Sequence, residues 1–174
     1  MGKYPWYETV SGEEDLWQGD IINLCPIVVP FGTIELGTMS AEVIEYDVVV
    51  MSQTCDLVQR KLDLVLVCPI WHLSEFENRS DFFKSRTGKE ALRRGNAPGY
   101  HLLNKCETEG FETDYLVVDF RSVYSVPFDF LVGLAERRGE RLRLLPPYRE
   151  HLSQAFARFF MRVGLPVDIP PFKR

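Results

Sequence analysis

Two short apolar runs lie close together in the middle of the chain, and they constrain its fold more than any other feature. Residues 47–51 have the sequence DVVVM, and residues 64–67 have the sequence LVLV. Both runs are rich in β-branched or large aliphatic side chains and show no alternation with polar residues, which predicts strands buried on both faces. We therefore expect two central strands here, with the rest of the protein packed around them.

A cluster of polar and potentially reactive residues follows the first of these runs. Its members are Ser52, Gln53, Thr54, Cys55 and Asp56. A side chain at the end of a buried strand is held rigidly, as catalysis requires. Ser52, Gln53, Cys55 and Asp56 are therefore candidate catalytic residues. The alternative is a polar turn in which Asp56 caps backbone N–H groups.

Length and composition indicate one globular domain over residues 1–174. No apolar run approaches the ~20 residues of a membrane span, and the N-terminus lacks the apolar core of a signal peptide. We therefore expect a cytoplasmic protein with no membrane partner. The net charge of -5 argues against binding nucleic acid over the whole surface, although a local basic patch is compatible with it.

The remaining pattern predicts six or seven short strands and two helical regions. Residues 1–17 are expected to form an irregular arm, and a strand over residues 21–29 contains Pro26 and ends at Pro30, which favours a sheet edge. A loop is expected from Phe31.

The helical regions are an insertion over residues 75–95, expected as one or two helices broken or weakened at Gly88, and a C-terminal helix over residues 148–163 with one apolar face. Together with the strands, they predict a mainly β (β+α) protein in which a small, partly closed β-barrel carries helices.

The segment 79–94 is strongly basic within an acidic chain. It holds six basic residues against Asp81 and Glu90, which gives a local net charge of +4. A basic stripe is the electrostatic mark of a nucleic-acid contact, whereas the commoner alternative is a charged helix face in solvent. The candidate nucleic-acid-binding residues are Arg79, Lys84, Arg86, Lys89, Arg93 and Arg94.

A catalytic role for Cys55 needs a base, because the thiolate is the nucleophile. His72 and His101 are the two candidates in the sequence. Cys68 and His72 have a possible ligand spacing, but the paired C-x2-C spacing of structural zinc sites is absent. We predict no metal and no cofactor.

The order of several blocks resembles the PemK/MazF family of toxin ribonucleases, which fold as SH3-like barrels and cut single-stranded RNA. The matching blocks are Gly19-Asp20-Ile21, Val48-Val49-Val50-Met51-Ser52, Val65-Leu66-Val67-Cys68-Pro69-Ile70, Leu116-Val117-Val118-Asp119 and the closing amphipathic helix. The likeness covers about half of the chain. A group of uncharacterised bacterial proteins with a Ser-Gln-x-Cys-Asp strand end is a nearer likeness.

The resemblance implies an SH3-like, PemK-like barrel with metal-independent endoribonuclease activity, a homodimer, and an antitoxin or other protein partner. It places Ser52 at the end of the family strand and Arg121 near a family arginine. The family's Arg-Pro pair is replaced here by Glu45-Tyr46-Asp47, and acidic residues repel phosphate. Three functions therefore stay open: an altered or degenerate RNase, a non-catalytic interaction module of a bacterial defence or stress system, and an enzyme centred on Cys55.

Overall fold

The computed structural model describes residues 4–35 and 38–161, which form eight strands, six α-helices and a short 3-10 turn. The strands are β1 (Tyr7–Val10), β2 (Ile21–Glu35), β3 (Thr38–Val50), β4 (Leu64–His72), β5 (Tyr100–Leu103), β6 (Leu116–Asp119), β7 (Tyr124–Pro127) and β8 (Arg141–Leu144). The helices are α1 (Thr54–Val58), α2 (Leu73–Phe76), α3 (Asp81–Lys84), α4 (Arg86–Arg93), α5 (Phe128–Arg138) and α6 (Tyr148–Phe160), with the 3-10 turn at Glu77–Arg79.

The strands form two antiparallel sheets. The larger has the order β2-β3-β4-β6-β5, and β7 pairs with the first half of β4 while β6 pairs with its last three residues. The smaller contains β1 and β8. Among the described residues these pairings do not close into a ring. The predicted combination of antiparallel strands and helices is confirmed.

The two apolar runs that dominate the sequence form adjacent strands in the larger sheet. β3 pairs with residues 67–69 of β4, and Val48, Val49 and Val50 are fully buried. Val49 packs in a core to which α6 contributes, whereas Val48 and Val50 pack in a second core to which α5 contributes. The prediction of burial on both faces is confirmed for β3, because each of its faces is covered by a helix. It is wrong for the start of β4, where Val65 and Val67 are buried but Leu64 and Leu66 are 52% and 41% exposed.

The β2–β3 hairpin is longer than the sequence predicts. β2 runs through both Pro26 and Pro30, and Ala41 of β3 pairs with Pro30. β2 is the last strand of its sheet, where a missing proline N–H is tolerated. The edge position inferred from the prolines is confirmed, whereas the predicted strand end at Pro30 and the loop from Phe31 are wrong.

The N-terminal arm also contains regular structure. β1 pairs with β8, and Trp6 stacks on Tyr148 with ring centroids 3.6 Å apart. The expectation of an irregular segment over residues 1–17 is wrong for β1, because a four-residue strand with a partner near the other end of the chain leaves no local pattern.

The helical insertion predicted for residues 75–95 is present as α2, the 3-10 turn, α3 and α4. The break falls at Ser85, whose Oγ accepts a hydrogen bond from the Gly88 N–H at 3.0 Å and caps α4. Gly88 itself lies inside α4. A Cβ atom there would collide with the carbonyl oxygen of Phe82, so Gly88 permits a close approach of α3 and α4 and does not end the helix.

The other helices follow the prediction in part. The helix expected over residues 148–163 is confirmed as α6 as far as Phe160, and residues 162 and 163 lie outside the described residues. α1 replaces the turn expected for the polar cluster after β3. None of the helices in the described ranges is long and apolar enough to cross a membrane.

A fully buried carboxylate, Asp20, connects the two sheets. Arg143 donates to it from Nε at 2.6 Å and from Nη2 at 3.0 Å, and Arg141 donates from Nε at 2.8 Å. Arg141 also donates four hydrogen bonds to backbone carbonyls of residues 11, 12, 14 and 15. We call Asp20, Arg141 and Arg143 the Asp20 cluster. It fixes the 11–20 loop against β8.

We predict that Asp20→Asn lowers the free energy of unfolding by about 3–5 kcal/mol, because two buried guanidinium groups lose the carboxylate that they share. Urea unfolding followed by circular dichroism measures this loss. The matched control is Asp129→Asn, because Asp129 pairs with Arg60 at 3.4 Å on the surface and its side chain is 90% exposed. We expect the control to cost less than about 1 kcal/mol; equal losses would contradict the role of the cluster.

Candidate functional site

The predicted catalytic cluster lies where β3 passes into α1, and Ser52 has a structural partner there. Ser52 is buried, and its Oγ accepts a hydrogen bond from the Leu66 N–H at 2.9 Å. Gln18 binds the same corner, because its Nε2 donates to the Met51 carbonyl at 2.8 Å and its N–H donates to Thr54 Oγ1 at 3.2 Å. The hydroxyl of Ser52 therefore holds β4 against the end of β3.

The other members of the cluster are more exposed. Gln53 donates from Nε2 to Ser153 Oγ on α6 at 3.3 Å. Cys55 is an exposed free cysteine in α1. Asp56 lies in the first turn of α1, and its carboxylate accepts no hydrogen bond from the described residues. The capping role considered for Asp56 is therefore absent from this part of the structure.

His72 lies at the opposite end of β4 from this cluster. Ser52 binds β4 at Leu66, and His72 is six residues further along the same strand. This spacing separates His72 from Leu66 by roughly 20 Å. His72 Nδ1 lies 3.4 Å from Thr113 Oγ1. The structure does not bring His72 and Cys55 together, so the predicted thiol–imidazole pair is not formed.

His101, the second candidate base, lies in β5 and stacks near Phe120, with ring centroids 6.2 Å apart. Burial lowers the pKa of His101 to about 4, and the nearby His151 contributes in the same direction. A group with this pKa is a poor general base at neutral pH. β5 is also separated from β4 by β6, so His101 is not a partner for Cys55.

Arg121 belongs to a different group of residues, centred on Asp119. Asp119 ends β6 and its side chain is only 3% exposed. Arg121 Nε lies 3.2 Å from its Oδ1 and Nη2 lies 3.4 Å from its Oδ2. The guanidinium carbon of Arg121 lies 4.5 Å from the centre of the Tyr100 ring. The hydrogen bond with Asp119 raises the pKa of Arg121.

Arg79 reaches the same carboxylate from the helical insertion. Its Nη1 lies 3.9 Å from Asp119 Oδ2, and its guanidinium carbon lies 3.5 Å from the centre of the Trp71 ring. Arg79 and Arg121 were predicted for separate roles, and Asp119, Trp71 and Tyr100 were not predicted as site residues. A carboxylate that ends an otherwise apolar strand, LVVD, is the sequence signal that could have indicated this site.

Most other cations of the basic segment are ion-paired. The pairs are Lys84 with Asp81 at 3.1 Å, Lys89 with Glu77 at 2.8 Å, Arg93 with Glu90 at 2.5 Å and Arg94 with Glu90 at 2.7 Å. Hydrogen bonds from the two arginines lower the pKa of Glu90 to about 2. Arg86 has no ion pair among the described residues. The segment is therefore less positive than a count of its charges predicts.

A groove of about 720 Å³ runs between the helical insertion and the edge of the larger sheet. We call it the insertion groove. Its aromatic residues are Trp6 and Tyr115, and Leu73 and Leu102 contribute apolar surface. Its charged residues are four cations and one carboxylate, namely Lys84, Arg86, Lys89, Arg93 and Glu90. Four of the six residues predicted to bind nucleic acid therefore line one concave surface, whereas Arg79 lies in the Asp119 group and Arg94 lines a neighbouring surface depression.

A second cavity, of about 490 Å³, lies beside a bulge in β2. Leu24 has a φ of 50° there. Its N–H donates to Asp47 Oδ1 at 2.8 Å, and its carbonyl accepts from Arg138 Nη2 at 3.1 Å. His72 also lines this cavity. It is lined by three carboxylates and two arginines, whereas the insertion groove has four cations and one carboxylate, so the groove fits a polyanion better.

Comparison with known proteins identifies no relative from which a function could be inferred. The sequence matches no protein-family model, and no curated protein matches it. Within the described residues, no three His, Cys, Asp or Glu side chains are grouped as metal ligands. The arginines around Asp119 and the cations of the insertion groove are the arrangements with the clearest ligand chemistry.

We predict that Ser52→Ala lowers the free energy of unfolding by about 1–3 kcal/mol, because the Leu66 N–H loses its acceptor in a largely buried corner. Chemical denaturation measures the change. Cys55→Ser is the control at an exposed position of the same cluster, and it should stay within about 0.5 kcal/mol of wild type. A Ser52→Ala protein as stable as wild type would contradict the structural role.

We predict that stability falls as the pH is lowered from about 6.5 to about 4, because the unfolded state binds a proton at His101 that the folded state excludes. Below the folded pKa both states are protonated and this contribution levels off. His101→Gln removes the titration and should flatten this part of the pH profile. Urea midpoints measured between pH 4 and 7.5 test this, and parallel wild-type and variant profiles would contradict it.

Proposed function

We propose that this chain binds single-stranded RNA in the insertion groove, as an SH3-like barrel protein of the PemK/MazF kind. The observation that supports this proposal is the composition of the groove, in which four cations, one carboxylate, two aromatic residues and apolar side chains line the same space. Cations bind the phosphate backbone, and aromatic rings stack with bases of any sequence. Single strands expose both features together.

The ion pairs in the groove are compatible with this proposal. The paired side chains of Lys84, Lys89 and Arg93 are between 43% and 64% exposed. Ion pairs in such positions contribute little to stability and are screened by salt. A phosphate can therefore replace a carboxylate partner at small cost, and each replacement adds to the salt dependence of binding.

Binding fits the geometry better than cleavage by the residues predicted from the sequence. Cleavage requires a base and a cation within reach of one scissile phosphate. Ser52 is buried in a structural hydrogen bond, and His72 lies at the far end of β4. We therefore propose an RNA-binding module that does not use Ser52, Cys55 and His72 as one catalytic set.

The resemblance adds a second copy of the chain, an antitoxin and a bacterial defence or stress system to this proposal. The groove suggests the chemistry of the antitoxin contact. An extended acidic segment would pair with the same cations as RNA, so the two ligands would compete.

We predict that a fluorescein-labelled 12-nucleotide single-stranded RNA binds the protein, and that Arg86→Ala/Lys89→Ala weakens binding. Because each phosphate contact on a single strand contributes about 0.7 to the slope of log K against log salt, the variant should lower that slope by about 1.4. Fluorescence anisotropy at four salt concentrations measures both effects.

The control is Arg60→Ala/Lys61→Ala, which removes two cations near α1, outside the groove. It should bind like wild type. Binding that is absent, insensitive to salt, or equally reduced in both variants would overturn the proposal. The same RNA, incubated with the protein and chelator and analysed on a gel, tests cleavage. A cleavage product lost in Ser52→Ala or Arg121→Ala would restore the endoribonuclease hypothesis.

A further inference from the structure

We propose that Arg79 and Arg121 form one site that binds a phosphodiester group beside the insertion groove. We call this pair, with Asp119 between them, the arginine clamp. The inference names a second contact for the RNA and in that respect rests on the proposed function. Nothing in the sequence joins these two arginines, because one lies in the helical insertion and the other follows β6.

Asp119 brings the two guanidinium groups together. Arg121 Nη2 lies 3.4 Å and Arg79 Nη1 lies 3.9 Å from the same oxygen, Asp119 Oδ2. The carboxylate is nearly inaccessible, whereas the side chains of Arg79 and Arg121 are 42% and 56% exposed. The carboxylate therefore lies beneath two cations whose outer edges face solvent.

Most of the hydrogen-bond donors in the clamp are unused. A guanidinium carries five N–H donors, and the guanidinium of Arg79 donates no hydrogen bond to any described residue. Arg121 uses only its Nε and one Nη2 donor on Asp119. The indole N–H of Trp71 has no acceptor among the described residues either, but it is buried and is not open to a ligand. The two exposed guanidinium groups therefore offer the donors that an anion can satisfy.

Aromatic rings hold both arginines in place without occupying those donors. Arg79 lies over Trp71 at 3.5 Å, and Arg121 lies over Tyr100 at 4.5 Å. Stacking restrains the plane of a guanidinium and leaves its edge free for a phosphate. A restrained side chain loses less entropy on binding than a mobile one.

The charge of the clamp favours a phosphodiester over a phosphomonoester. Two guanidinium groups and one carboxylate leave a net charge of +1. A diester carries one negative charge and neutralises this site, whereas a dianionic monoester leaves a negative excess. Asp119 thus sets a preference for the backbone of a nucleic acid over a terminal phosphate or free phosphate.

The clamp and the groove lie on the same face of β5. Tyr100 belongs to the clamp and Leu102 to the groove, and residues two apart on a strand point to the same face about 7 Å apart. A residue of the clamp and a residue of the groove are therefore close neighbours on one β-strand.

The test titrates the protein with the dinucleoside monophosphate UpU, which has one diester, and with UMP and uridine as comparison ligands. The readout is the indole N–H signal of Trp71 in ¹H–¹⁵N spectra, identified by its loss in Trp71→Phe. We expect UpU to bind more tightly than UMP or uridine. The variant Arg79→Lys/Arg121→Lys keeps both charges and removes the planar donors, and it should weaken UpU binding about tenfold.

The matched control is Arg94→Lys, a conservative change at an arginine of the insertion outside the clamp, and it should leave UpU binding unchanged. Binding of UpU no tighter than uridine, or equal binding by the double lysine variant and wild type, would overturn the clamp. Tighter binding of UMP than UpU would overturn the diester assignment and indicate a terminal or free phosphate.

The groove variant Arg86→Ala/Lys89→Ala separates this inference from the proposed function. It should still bind UpU, because the dinucleotide needs only the clamp. If the 12-nucleotide RNA does not bind but UpU binding still depends on Arg79 and Arg121, the RNA-groove proposal fails and the clamp stands. If the long RNA depends on the groove and UpU does not bind, the clamp fails and the groove stands.

Discussion

Asp20 joins the 11–20 loop to β8 near the other end of the chain, and the arrangement of the two sheets depends on it. A carboxylate and two guanidinium groups out of contact with water are tolerated only when their hydrogen bonds are nearly complete. Arg141 meets that condition, because it donates five hydrogen bonds, one to Asp20 and four to carbonyls of the 11–20 loop. The loop therefore keeps its shape by acting as a set of acceptors for an arginine of β8.

A carboxylate shared by two arginines occurs a second time in the structure, at Asp119, with the opposite consequence. In the Asp20 cluster both arginines are almost inaccessible, so their donors are directed inward and the cluster is structural. At Asp119 only the carboxylate is buried, and the arginines are held by ring stacking with most of their donors free. Burial of the guanidinium groups, and not the identity of the residues, separates a structural cluster from a candidate ligand site.

The central strands and the helices were predictable because their signals are local. The valines of β3 show in a few consecutive residues that both faces are covered, and the apolar face of α6 repeats within one helix. The Asp20 cluster joins residues 121 and 123 positions apart, and β1 pairs with a strand near the other end of the chain. Such contacts leave no periodicity in the sequence. The prediction that β2 ends at Pro30 was wrong for a related reason. An edge strand tolerates proline, and β2 continues past Pro30 because its partner β3 continues beside it.

The candidate site shows the same limit at the level of chemistry. Residue types suggested Ser52 as catalytic and segment 79–94 as an open cationic face. The observed partners revise both interpretations. Ser52 Oγ accepts the hydrogen bond of the Leu66 N–H. Most cations of the segment are already paired with Glu77, Asp81 or Glu90. What a side chain can bind depends on the donors and acceptors that folding leaves unused. By that criterion Arg79, which has a restrained plane and unused donors, is better suited to recognise an anion than any reactive residue of the polar cluster.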